Sequence, residues 1–149
     1  MKELFTSSLL WFSLGTTVLF AQEPIKLSSP DGQIKVEIRL DNLIHYDLFV
    51  DGKLMVEDCL VSMELEKKGV LGDQPNLRKK SVIHVDNTIK PVIRQKTSEI
   101  RDQYNELTLT FKNSFDLVFR AYNNGVAYRF QTKFKEEIKV VNETANFCK

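Results

Sequence analysis

The chain has 149 residues, in which 21 Lys and Arg stand against 20 Asp and Glu for a formal net charge of +1. So even a balance gives no electrostatic reason to expect nucleic acid or an acidic membrane surface as a partner. The length suits one domain with a real core, and no internal repeat, low-complexity tract or second domain boundary interrupts it.

The first 21 residues predict an export leader. Met1-Lys2 gives a charged start, an apolar run extends from Leu9 to Phe20, and Ala21-Gln22 offers a small residue for cleavage. The run is shorter than the roughly 20 apolar residues that a membrane span needs. No cysteine follows it, which argues against a lipid anchor there. Residues 22–149 are then one exported domain, in the periplasm or outside the cell, with no membrane span once the leader is cut. Its charge stays near +1, and it lacks tryptophan, since Trp11 lies in the leader. A free-standing sugar-binding surface usually presents flat aromatic platforms, so the missing indole counts against one here.

Strand patterns follow one another from there. Glu23 to Leu27 predicts a short first strand, and Ser28-Ser29-Pro30-Asp31-Gly32 a turn. Ile34, Val36, Ile38 and Leu40 alternate with Lys35, Glu37 and Arg39, the period-2 signature of a half-buried strand. After Asp41-Asn42 the alternation resumes through Ile44, Tyr46, Leu48 and Val50. Asp51-Gly52 predicts a hairpin turn. Leu54 to Val56 and Val61 to Leu65 read as further strand pieces, and Lys67 to Lys80, rich in Gly, Pro, Asn and charge, as an exposed loop. Ser81 to Val85 is another strand, while Pro91 limits Val92 to Lys96 to an edge strand at best.

The clearest folding signal runs from Glu99 to Phe134 as three alternating stretches. Leu107, Leu109 and Phe111 share one face, as do Phe115, Leu117, Phe119 and Ala121, and then Val126, Tyr128 and Phe130. Asn124-Gly125 supplies residues that tolerate positive φ, as a two-residue hairpin loop demands. The expectation is an antiparallel meander. With no helical periodicity in any long segment and turn signals throughout, the fold class is all-β, an antiparallel β-sandwich.

Placing Asn124-Gly125 as the loop sets Arg120 directly across from Arg129, and facing like charges are unfavourable without an acid or ligand between them. One reading has Glu106 or Asp116 neutralise the pair. The other makes Arg120 and Arg129 a seat for an anion or polar ligand, and they are the candidate binding residues of this chain. Other chemistry is sparse. His45 and His84 sit singly on separate strands without metal-ligand spacing. Glu64 with Glu66, and Glu99 with Asp102 and Glu106, could be called carboxylate pairs, but outward residues two apart on a strand meet that distance by accident, and they read as a solvated strand face. There is no nucleophile elbow, phosphate loop or zinc pattern, so no catalytic residue and no metal ligand is assigned. Cys59 and Cys148 would meet an oxidising compartment, either as a disulfide or as two thiols. Asn142-Glu143-Thr144 matches a glycosylation sequon.

Several of these pieces carry a resemblance. Ser29-Pro30-Asp31-Gly32 before an alternating strand, Tyr46 with Asp51-Gly52-Lys53, Tyr104-Asn105-Glu106-Leu107, and above all Phe119-Arg120-Ala121-Tyr122-Asn123-Asn124-Gly125-Val126-Ala127-Tyr128-Arg129-Phe130 fall in one order. The chain from Ser28 onward resembles the amino-terminal domain of glycoside hydrolase family 97, exported bacterial α-glucosidases and α-galactosidases. The resemblance implies a β-supersandwich of the galactose-mutarotase-like kind, here incomplete, whose partner is a (β/α)8 catalytic barrel and, through the parent enzyme, carbohydrate. It places the catalytic acids on the barrel, which is missing here, and calcium in the α-glucosidase branch, with no ligand assigned in this chain. The implied function is a non-catalytic support for the barrel that borders its sugar site. The alternative is a free-standing exported β-sandwich that binds carbohydrate or protein. A sheet without its final strands is also expected to expose an unpaired edge.

Overall fold

The computed structural model describes residues 23–90 and 99–145. The leader, Val92 to Lys96 and Cys148 lie outside them. Ten strands and no helix fill the described residues: β1 (Ile25–Ser28), β2 (Ile34–Leu40), β3 (Ile44–Val50), β4 (Lys53–Leu65), β5 (Gly69–Leu71), β6 (Leu77–Ile89), β7 (Ile100–Phe111), β8 (Phe115–Tyr122), β9 (Gly125–Thr132) and β10 (Val140–Ala145).

Every pairing is antiparallel, and the strands form two packed sheets. One has the order β1-β2-β3-β4-β10 with β5 also on β4, and the other has the order β6-β7-β8-β9. The alternation of β2 makes the packing possible. Ile34, Val36 and Ile38 are buried, while Lys35 is exposed and Glu37 half-buried. The facing sheet contributes Leu107, Leu109, Phe111, Phe115, Leu117 and Phe119 to the same core. Tyr46 of β3 meets Phe119 of β8 edge-on across the sandwich, 5.9 Å between ring centres, a favoured aromatic geometry. The sheets are staggered. β1 lies over β7 and β2 over β8, which leaves β6 projecting past the first sheet.

Local chemistry sets the turns. Asp51 and Gly52 both adopt left-handed φ, 51° and 76°, the geometry favoured in a two-residue hairpin, here between β3 and β4. The expected pieces Leu54 to Val56 and Val61 to Leu65 are one strand, β4, carried through a bulge. Tyr46 pairs with Cys59 and Leu48 with Val56, so two residues, Glu57 and Asp58, oppose the single Asp47. The extra residue lets the half-buried Val56 pack on the core alongside Cys59 although they are three apart. Asp58 takes φ of 52°, and its N–H donates to Asp47 Oδ1 at 2.7 Å. Arg39 ties both acids together, donating to Asp47 and, at 2.7 Å, to Asp58 Oδ1.

The expected loop from Lys67 to Lys80 is instead partly strand. β5 adds to β4, with Met63 opposite Leu71, and Leu71 is buried. Gly72 makes this approach possible. Its φ is +98°, and a Cβ there would sit 2.8 Å from the Val61 carbonyl oxygen. β6 also starts early, at Leu77, and pairs along its length with β7. β10 had no counterpart in the sequence reading, because Val140 and Val141 are adjacent and both exposed, with no alternation to detect.

Candidate functional site

The β7-β8-β9 meander forms as the alternation predicts, but its second turn sits one residue earlier. Tyr122 pairs with Gly125, Ala121 with Val126 and Phe119 with Tyr128, so Asn123-Asn124 is the loop. Arg120 therefore faces Ala127 and Arg129 faces Val118, which corrects the expected Arg120–Arg129 pair. Neither asparagine adopts positive φ, nor does Gly125, so the signal in Asn124-Gly125 pointed to the hairpin but misplaced its register. With Phe119 opposite Tyr128, the rings lie 5.8 Å apart on the buried face.

The outer face of this sheet holds the candidate residues. Arg120 Nε donates to Glu106 Oε2 at 2.7 Å from the neighbouring strand, where the two residues are in register. The guanidinium also lies 4.4 Å from the centre of the Tyr104 ring, within cation–π distance. Tyr104 in turn packs on Tyr122 at 5.0 Å. The Glu106 hydrogen bond raises the Arg120 pKa further above an already basic value, with burial opposing it and Tyr122 adding to it. Arg120 is thus neutralised by Glu106, while Asp116 is engaged by Lys133 Nζ at 2.7 Å. Arg129 is exposed and makes no ion pair with the described residues.

Arg120 and Arg129 still share a site. With Val118, Tyr122, Ala127 and Tyr128 they line an open cavity of about 140 Å3. One wall is a cation already matched to an acid, and the other is a cation turned to solvent. That combination suits a neutral polar ligand or a single carboxylate better than a multiply charged anion, which would need two uncommitted cations. Glu106, Tyr104 and Tyr122 build this site with the arginines. Sequence reasoning held Glu106 only as a possible neutraliser or carboxylate-pair member, because the β7–β8 register was the missing fact.

The other titratable candidates are spread out. His84 Nδ1 is 2.7 Å from Asn105 Oδ1 at the exposed β6–β7 pair. His45 Nδ1 lies 3.0 Å from Asp58 Oδ1 without meeting hydrogen-bond geometry. Glu66 is bound to Lys139 at 3.0 Å and Glu99 to Lys90 at 3.4 Å. Glu66 also lines a polar cavity with Glu136 and Glu137, but Lys68 holds Glu136 there. Among the described residues, no group of three or more His, Cys, Asp or Glu could hold a metal ion. Cys59 is fully buried, its thiol 3.8 Å from the Glu57 carbonyl.

Comparison with known proteins gives this arrangement a lineage. The family model described as glycosyl-hydrolase 97 N-terminal matches residues 27–148. The chain belongs to the glycosyl-hydrolase 97 N-terminal family. A retaining alpha-galactosidase of Bacteroides thetaiotaomicron is 38% identical over 148 residues, which is 99% of this chain but 22% of that protein. Among solved structures, a glycoside hydrolase family 97 enzyme from Pseudoalteromonas sp. strain K8, in complex with panose, superposes with a TM-score of 0.73 at 20% identity. It covers 83% of this chain and 20% of its own. A beta-arabinopyranosidase superposes at 0.72 and 23% identity, covering 83% and 21%. At that identity the likeness shows a shared sandwich fold. The family 97 N-terminal chain described here spans about a fifth of the length of these relatives.

Proposed function

We propose that this chain is the non-catalytic β-sandwich of an exported family 97 glycosidase acting on α-glucosides or α-galactosides. In this reading it supports a (β/α)8 barrel that carries the bond-breaking groups. The outer face of the β6-β7-β8-β9 sheet, with Arg120 and Arg129, borders the sugar site. The observation that carries the reading is the match to the alpha-galactosidase, which runs through 99% of this chain yet occupies 22% of that enzyme. The acids support it. A glycosidase needs two carboxyl groups facing a common substrate, whereas Glu106, Asp116, Glu66 and Glu136 are each tied to a cation. Calcium, where the parent enzyme uses it, finds no ligand cluster among the described residues. Residues 1–21 act as the export leader, and sequencing the amino terminus of secreted protein is expected to start at Gln22.

A graft tests the reading. The matching segment of the Bacteroides alpha-galactosidase is replaced by this chain, and hydrolysis of a nitrophenyl α-galactoside is measured. Activity is expected in the graft, with none in the enzyme lacking the segment and none in this chain alone. Turnover of either a nitrophenyl α-galactoside or a nitrophenyl α-glucoside by this chain alone would overturn the proposal.

A further inference from the structure

The stagger of the two sheets leaves β6 in an unusual position for so long a strand. It has 13 residues, pairs with β7 on one side, and among the described residues has no strand on the other. Side chains on both of its faces are open, with Val82 58% and Ile83 50% exposed and Ile89 46%. Strand edges of this kind are ordinarily blunted by lysine or shortened, because their free N–H and C=O groups template a further strand. Arg78, Lys79 and Lys80 do place positive charge at one end. Toward the other end, Asp86 places negative charge on the same strand.

That polarity makes β6 complementary to itself in reverse. An antiparallel strand pair related by a two-fold axis at Ile83 sets Val82 against His84 of a second copy and Ser81 against Val85. It also sets Lys80 against Asp86, twice. Lys80 and Asp86 lie on the same face of the sheet, since they are opposite Leu109 and Gln103, both odd-numbered residues of β7. The acid is also held in place. Arg101 donates to both Asp86 oxygens, at 3.0 and 2.8 Å, and Asp86 remains 41% exposed on its side chain, so it can receive a second cation. Opposite charges directly across a strand pair are favourable, and like charges are not. Moving the axis to His84 would set Lys80 against Thr88, and moving it to Val82 would set Lys80 against His84 and Asp86 against Arg78, the residue at the β6 bulge, so the Ile83 register is the one that pairs Lys80 with Asp86 along the regular part of the strand.

We propose that the free edge of β6 pairs with β6 of a second copy of this chain, joining the two four-stranded sheets into one through an isologous two-fold interface. The pairing rests on the β6 edge as the described residues leave it. Light scattering behind size exclusion tests it over a concentration series, with hydrogen exchange on β6 read in parallel. Mass is expected to double as concentration rises, with β6 amides gaining protection in step. Ile83→Lys is expected to return the monomer. Asp86→Lys is expected to weaken the dimer by about tenfold or more, equivalent to about 1.4 kcal/mol, and Lys80→Asp with Asp86→Lys together to restore it. Thermal melts identify any variant that fails to fold, and the restored pair is then the deciding measurement. A wild-type chain that stays monomeric, a doubling of mass that leaves β6 amides unprotected, or a double swap as weak as the single one would each overturn the proposal.

Discussion

β8 and β6 lie two strands apart in one sheet, and both read as strand from their side-chain pattern, yet they have opposite fates. β8 is flanked by β7 and β9 and covered by β2, and five consecutive residues, Phe115 to Phe119, are buried. β6 is flanked on one side and mostly uncovered: Leu77 packs against the core, and of its 13 residues only Leu77 and Val85 are even half-buried. An apolar residue therefore stabilises according to the neighbours supplied by the stagger, since burial removes area from water and exposure does not.

Truncating one residue on each strand gives the largest contrast. Phe119→Ala removes a fully buried ring that touches Tyr46 and Tyr128, and is expected to cost about 3–5 kcal/mol. Ile83→Ala at the edge is expected to stay within about 0.5 kcal/mol for the monomer. Urea unfolding of both at low concentration checks this, and equal losses would break the comparison.

The outer face of the meander sharpens it at an intermediate scale. Arg120→Ala strips the cation from Glu106, whose side chain is 13% exposed, and uncovers Tyr104. The expected loss is about 2 kcal/mol, because an acid with little solvent contact loses its partner. Arg129→Ala, at an exposed side chain without an ion pair among the described residues, is expected to change stability by under about 0.5 kcal/mol. The same unfolding curves read both variants.

The smallest effect belongs to the surface acid at the bulge. A hydrogen bond from Arg39 holds the Asp58 carboxylate below its ordinary value of 3.8, against a smaller opposing contribution from burial. With the folded pKa below the unfolded one, the stabilisation is complete above the unfolded value and is lost as pH falls through the folded value. Asp58→Asn should therefore flatten part of the acid limb of a melting-temperature profile between about pH 2 and pH 5. Asp31 and Asp86, which are lowered in the same direction, keep the rest. Because Asp58 is exposed, its share of that limb is small.

The candidate site shows how far local pattern reaches. That Arg120 and Arg129 lie on one outer face follows from parity alone, and the structure places both around one cavity. Which residue each faces does not follow, because Asn123-Asn124 and Asn124-Gly125 are both acceptable hairpin loops. The structure adopts the first, with Phe119 paired with Tyr128 on the buried face.

The sequence by itself determined the strands whose apolar residues alternate, the left-handed Asp51-Gly52 turn, the all-β class and the family resemblance. These depend on side-chain period and on backbone preferences within a few residues. Only the tertiary structure decided the bulge that joins β4, the addition of β5 and β10 to that strand, the Glu106–Arg120 pair and the exposure of β6. Each of these depends on which strand lies beside or above another, and that is set by how distant apolar faces share one core.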